Sequence, residues 1–210
     1  MSRLTAAVAV AMTVGLLAAC GPVAEDADPT PSSSAAVSPA PAPTPTASVP
    51  VAPATPRPVV ESPDPVALRI DALGVDMPIQ PVGVQDSGAM EIPEDPAIAG
   101  WYRFGPAPAD PEGATVLAAH VDDREYGVGP LARLRDAQAG ETVIVRDAGG
   151  AEVAYGVESV AYIPRTQLPV AELFERTGPR TLVVITCGGQ FDERTRSYSD
   201  NVVLVARALP

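Results

Sequence analysis

Cysteine and histidine are nearly absent from this sequence: 210 residues contain two of the first and one of the second. Two cysteines permit one disulfide at most, so a disulfide framework is excluded. Positive charge is scarce as well. Fourteen basic against 26 acidic side chains give a formal net charge of −12, which argues against nucleic acid, because phosphate binding needs a basic face. Long hydrophobic runs are missing too. The apolar, uncharged stretch Leu4 to Ala19 falls short of the roughly 20 apolar residues of a membrane-spanning helix and stops at Cys20-Gly21-Pro22. No internal repeat is visible. Acidity of this kind fits solubility.

With Arg3 ahead of it, Leu4 to Ala19 has the layout of an export signal, so residues 1–19 are expected to be removed. Leu17-Ala18-Ala19-Cys20 resembles the lipobox of bacterial lipoproteins. The resemblance implies cleavage before Cys20 and a diacylglycerol thioether on its sulfur, an anchor of the stable two-chain kind. The expected location is the outer face of the cell membrane, in the wall zone. Lipidation would use up the one disulfide partner and leave Cys187 a free thiol in an oxidising compartment, where such a group needs a purpose.

Residues 20–64 carry the lipidated cysteine and a tether of Pro, Ala, Ser, Thr and Val that holds 12 of the 25 prolines. Such a stretch has too little large apolar surface to offset its ordering entropy. Fully extended as polyproline II it would reach on the order of 130 Å. Residues 65–210 are then one folded domain by length.

Within that domain strand signals dominate. Val66–Ile70, Met77–Ile79, Val82–Val84, Met90–Pro93, Thr115–His120, Thr142–Arg146, Glu152–Ile163, Thr181–Cys187 and Asn201–Leu209 read as strands, with a turn at Asp86-Ser87-Gly88. Leu131–Ala137 and Val170–Arg176 read as single helical turns or short helices, with Pro130 and Pro169 ahead of them. Many short, turn-punctuated strands predict an all-β, closed or nearly closed barrel. Gly188 to Asp200 reads as a loop into the last strand.

Two apolar runs each end in a reactive side chain: Ala114 to Ala119 delivers His120, and Leu182 to Thr186 delivers Cys187. Thiol chemistry needs a nearby proton acceptor and donor, and imidazole serves as both near neutral pH. An acyl transfer also builds negative charge on the carbonyl oxygen, which an arginine near the end of the following loop could stabilise. Arg196 and, as the alternative, Arg194 stand there. Thr186 is a supporting candidate for orienting the site. No metal and no cofactor is expected.

Gly100-Trp101-Tyr102-Arg103-Phe104-Gly105-Pro106, Val116 to Asp122 around His120, Ile185 to Gly189 around Cys187, and Arg196-Ser197-Tyr198 with Asp200-Asn201-Val202-Val203 follow one another in order. This ordered set resembles the sortases, specifically the class F type of actinobacteria, over nearly all of residues 66–208. The resemblance implies a closed eight-stranded sortase-type barrel and a cysteine transpeptidase. By motif, Cys187 would be the nucleophile, His120 the general acid/base and Arg196 the third catalytic group.

The reaction implied is cleavage of an LPXTG-like sorting signal through a thioester, a thiol-protease step, and transfer of the acyl group to an amine of the peptidoglycan precursor. The partners implied are sorting-signal proteins, that amine, and the membrane through the lipid; a monomer is expected. Two alternatives stand beside it. One is a cysteine peptidase acting on wall peptides, although Ser-His-Gly-Cys-type signatures are absent. The other is an inactive sortase-fold lipoprotein serving as a binding module.

Overall fold

The covered faces of three strands explain why their sequences read as unbroken apolar runs. The structure, a computed structural model, describes residues 62–210. The expected export signal, Cys20 and all but the last residues of the tether lie outside the described residues. In chain order the strands are β1 Pro65–Ile70, β2 Val75–Val82, β3 Ala99–Tyr102, β4 Ala114–Ala118, β5 Asp122–Asp123 and β6 Gly127–Val128. There follow β7 Thr142–Asp147, β8 Glu152–Pro164, β9 Thr181–Asp192 and β10 Ser197–Ala208. Eight of them close a barrel in the order β1-β2-β3-β4-β9-β10-β8-β7, and β5 with β6 forms a separate two-stranded ribbon. The all-β, eight-stranded closed barrel expected from the sequence is what the chain forms.

On β2 the side chains alternate as a half-covered strand must: Val75, Met77 and Ile79 are buried, Asp76, Pro78 and Gln80 exposed. β4, by contrast, is buried at all five positions. Leu117 belongs to the barrel interior with Leu182 and Val184 of β9 and Val202 and Leu204 of β10. Ala114, Val116 and Ala118 face outward onto a second cluster with Val183, Ile185, Val203 and Leu173. Leu173 lies on the one-turn helix α1, Val170–Leu173, whose segment covers that outer face together with Leu168 and Phe174. Two covered faces require apolar residues on both, hence continuous runs. Leu117 is fully buried, and truncation leaves a void three residues before His120. Leu117→Ala is therefore expected to destabilise the fold by about 2–5 kcal/mol, read from the denaturation midpoint.

Several boundaries differ from the sequence reading. Val82–Val84 and Met90–Pro93 are not a strand pair; β2 ends at Val82, and only an isolated bridge joins Val84 to Met90 around the Gly88 turn. β3 was not expected as a strand, because it is short and contains Gly100. A Cβ there would stand 3.0 Å from both Pro93 and Val82, so glycine is what lets β3 close on β2. Of the two helical segments, the first is a 3-10 segment at Pro130–Asp136, of the expected length and one residue earlier than read, and the second, α1, is shorter than read.

The largest difference concerns residues 188–200, which form a hairpin and not a loop. β9 runs on past Cys187 to Asp192, and β10 begins at Ser197. Tyr198 pairs with Phe191 but Asp200 with Gly188, so β9 carries one extra residue there. This is a glycine bulge: Gly189 has φ +77°, and Ser199 Oγ accepts from Gln190 N at 3.0 Å. Gly-Gly among polar residues carries the chemistry of a loop, and the cross-strand pairing overrides it. Phe191 and Tyr198 add a ring contact, centroids 5.0 Å apart.

A Cβ on Gly189 would run into the Asp200 and Ser199 side chains and force a left-handed backbone on a residue that resists it. Gly189→Ala is expected to cost roughly 1–3 kcal/mol. Hydrogen exchange should show the loss concentrated in residues 189–199 while the barrel interior stays protected.

Candidate active site

Parallel pairing of β4 with β9 does what the sequence could only suggest. Ala118 lies opposite Ile185, and Ala119 N still donates to Ile185 O at 3.2 Å beyond the last rung. Thr186 Oγ1 donates to Ala119 O at 2.9 Å. Continued by two residues, this register sets His120 beside Cys187 on neighbouring chains, which lie about 4.8 Å apart in a sheet. Both side chains are half-buried and line one cavity of about 640 Å³.

Thr186 thus has a defined part. Its buried hydroxyl pins the end of β4 to β9 one residue before His120 and Cys187, and it does not line the cavity.

The cavity wall also contains Arg196, Arg165, Asp122, Tyr198 and Asn201. Arg196 comes from the turn between β9 and β10 and is the one non-glycine residue with a positive φ, +50°, among those described. Arg194 does not line the cavity. Asp192 Oδ1 accepts from its backbone N at 2.8 Å, and its guanidinium lies 3.9 Å from the same carboxylate, almost fully exposed. An exposed pair of that kind contributes little. Arg194→Ala is accordingly expected to leave thiol reactivity and stability unchanged, as measured by alkylation rate and thermal unfolding.

Burial, the dominant influence, pushes the Cys187 thiol above its ordinary value; the Arg165 charge pulls it down, and the Asp122 carboxylate pushes it up further. The resting thiol is therefore neutral near pH 7, and a base must activate it. Tyr198 donates to Asp122 Oδ2 at 2.6 Å, and this bond above all holds the phenol proton, with a pKa pushed up to about 12. The same bond ties the β9–β10 hairpin to the segment following His120. Asp123 organises that segment: its Oδ1 accepts from Glu125 N at 2.7 Å, which with further backbone bonds holds its carboxyl below the usual range. Among the described residues no group of His, Cys, Asp and Glu is arranged to hold a metal ion, and no helix is long and apolar enough to cross a membrane.

Comparison with known proteins turns this arrangement into a family. The family model described as the sortase domain matches residues 68–209, from β1 to the end of β10. The chain belongs to the sortase family. No curated protein sequence matches it. Among solved structures, this sortase barrel is similar to Streptococcus agalactiae sortase C1, with a TM-score of 0.54 at 19% identity over 69% of this chain and 66% of that one. Streptococcus suis sortase C1 gives 0.53 at 16% identity, covering 70% of this chain and 74% of its own. Actinomyces oris sortase C-1 gives 0.53 at 19%, with the same coverages. This sortase spans just under two thirds of the S. agalactiae chain. At such identities the likeness is one of fold, and the neighbours are sortases named as type C, not F.

Sequence reasoning missed Arg165. It follows Pro164 at the start of a 3-10 turn, Arg165–Gln167, and no motif marks it. Its one sequence signal is position: it directly follows a strand that ends at the same edge of the barrel as Cys187. Asp122 and Tyr198 lay within the matching motifs but had no role assigned to them.

Proposed function

We propose that this chain is a cysteine transpeptidase that cuts an LPXTG-like sorting signal and transfers the acyl half to an amine of the wall precursor. The observation carrying it is the meeting of the chain's single histidine with Cys187 at one cavity of a sortase barrel. The ordered motifs of class F support that finer assignment, and the lipobox supports an exported, lipid-anchored enzyme facing the wall.

In the first half-reaction the Cys187 thiolate attacks the scissile carbonyl carbon. A C–S bond forms, and the carbonyl electron pair moves onto oxygen. As that pair returns, the C–N bond breaks, and His120 in its imidazolium form gives its proton to the departing amine. The thioester remains. In the second half the incoming amine attacks, loses a proton to His120, and the C–S bond breaks to release the thiolate. Proton count and charge return to their starting values.

The test is a quenched LPXTG peptide incubated with the purified protein, with and without an amine acceptor. Cleavage that rises with acceptor, together with an acyl adduct at Cys187 by mass spectrometry, is the expected result. Absence of any adduct while the peptide is consumed would reject the covalent mechanism. Metabolic labelling with a fatty acid should mark the wild type and not Cys20→Ala.

A further inference from the structure

A thioester-forming site needs positive charge near both its sulfur and its acyl oxygen. Three arginines line the cavity, Arg124, Arg165 and Arg196, and among the described residues none of them has an ion pair or a side-chain hydrogen bond. Of the three, Arg165 is the one whose charge bears on the Cys187 thiol, and Arg196 is the one the sequence motif marks. These two arrive by different routes. Arg196 sits five residues before Asn201, which pairs with Cys187 across β9 and β10. Along a regular strand that separation is about 17 Å, and only the curl of the hairpin brings the side chain back.

Arg165 comes from the other flank of β10. Asn201 pairs with Ile163 on β8 as well as with Cys187 on β9, and Asp200 pairs with Pro164. Arg165 is thus two residues past the level of Cys187 and two strand spacings away, about 10 Å, with one strand between. Pro164, with φ −51°, fixes the direction in which the chain leaves β8, and the 3-10 turn begins at once. Gly188 lets β8 and β9 close together here: a Cβ on it would stand 2.6 Å from Val202 and 3.2 Å from the Tyr162 ring.

We propose that Arg165 is a catalytic cation of this site, carried by the end of β8 to stabilise the Cys187 thiolate and the oxygen of the acyl group it bears. The proposal rests on the transpeptidase reading for the acyl oxygen, and for the thiolate on the cavity that Arg165 shares with Cys187. The Arg165 charge bears on the thiol in the favourable sense, against burial and the Asp122 carboxylate. Asp122 is itself occupied by Tyr198, which leaves the Arg165 guanidinium free for an anion formed during the reaction. A planar fork of donors suits a carbonyl oxygen better than a point charge does.

The experiment separates the two parts. Iodoacetamide alkylation of Cys187 against pH needs no peptide and reads the thiol alone; peptide cleavage then gives kcat and KM. Arg165→Ala is expected to move the alkylation midpoint to higher pH and to lower kcat on the order of tenfold to 10²-fold, with KM nearly unchanged. Arg165→Lys should recover the midpoint but only part of kcat, a split that a merely structural role would not produce. Arg196→Ala should leave the midpoint in place. An unmoved midpoint in a folded Arg165→Ala protein overturns the proposal, and so does a shift produced by Arg196→Ala instead. If the wild type cleaves no sorting peptide yet its midpoint depends on Arg165, the transpeptidase reading fails while the pairing of Arg165 with the thiolate stands.

Discussion

Cys187→Ala is expected to abolish acyl transfer, with a fall of at least about 10³-fold in kcat/KM for a sorting-signal peptide. Cys187 is the one cysteine among the described residues, and the other in the sequence, Cys20, precedes the matched sortase domain, so no second thiol of the barrel could take over. The side chain is small and half-buried, and losing its sulfur removes little apolar area, so stability should hardly change. A circular-dichroism melt matching the wild type, beside a lost turnover and a lost acyl adduct, is the expected pair of results. Turnover that survives in Cys187→Ala would sink the mechanism. Cys187→Ser should be almost as inactive, because a hydroxyl is a far weaker nucleophile under the same base.

His120→Ala is expected to lower kcat by roughly 10²–10⁴-fold, the usual worth of a positioned general acid and base. The pH dependence should separate its role from that of the thiol. Burial raises the Cys187 pKa, so at pH 7 the folded protein holds less thiolate than a free cysteine would, and alkylation should be slow there and climb through alkaline pH. The rise follows from the sign of the shift: a raised thiol pKa places the anion at higher pH. Without His120 the climb remains, because the burial that causes it remains, but peptide cleavage should stay low even at alkaline pH, where thiolate is plentiful and the leaving amine still lacks its proton donor. Recovery of wild-type kcat at high pH would show that His120 serves only to deprotonate the thiol.

Much of this site was legible in the chain. His120 and Cys187 each end an apolar run, and a covered run that stops at a reactive residue points to the barrel's rim. Neither run states which strand it lies beside. The pairing of β4 with β9 joins residues 67 apart, and Thr186 locks it through Ala119 O, a contact no local pattern encodes. Arg196 could be read from its motif, whereas Arg165 could not: it reaches the cavity because β10 lies between β8 and β9 in the sheet order. The segment after Cys187 was misread for a related reason. Gly188 and Gly189 are loop formers by themselves, and in the sheet the first clears space for Tyr162 and Val202 while the second makes a bulge.

The sequence by itself determined the chemistry available, one imidazole and one thiol within the barrel domain, and the alternating and continuous apolar patterns that make an all-β barrel. These follow from residue type and from side-chain periodicity, which are local properties. Tertiary structure alone decided which groups meet. Register across non-adjacent strands, the curl of the hairpin at Gly189 and the exit of the chain after Pro164 depend on which surfaces bury each other, and burial is a property of the whole barrel.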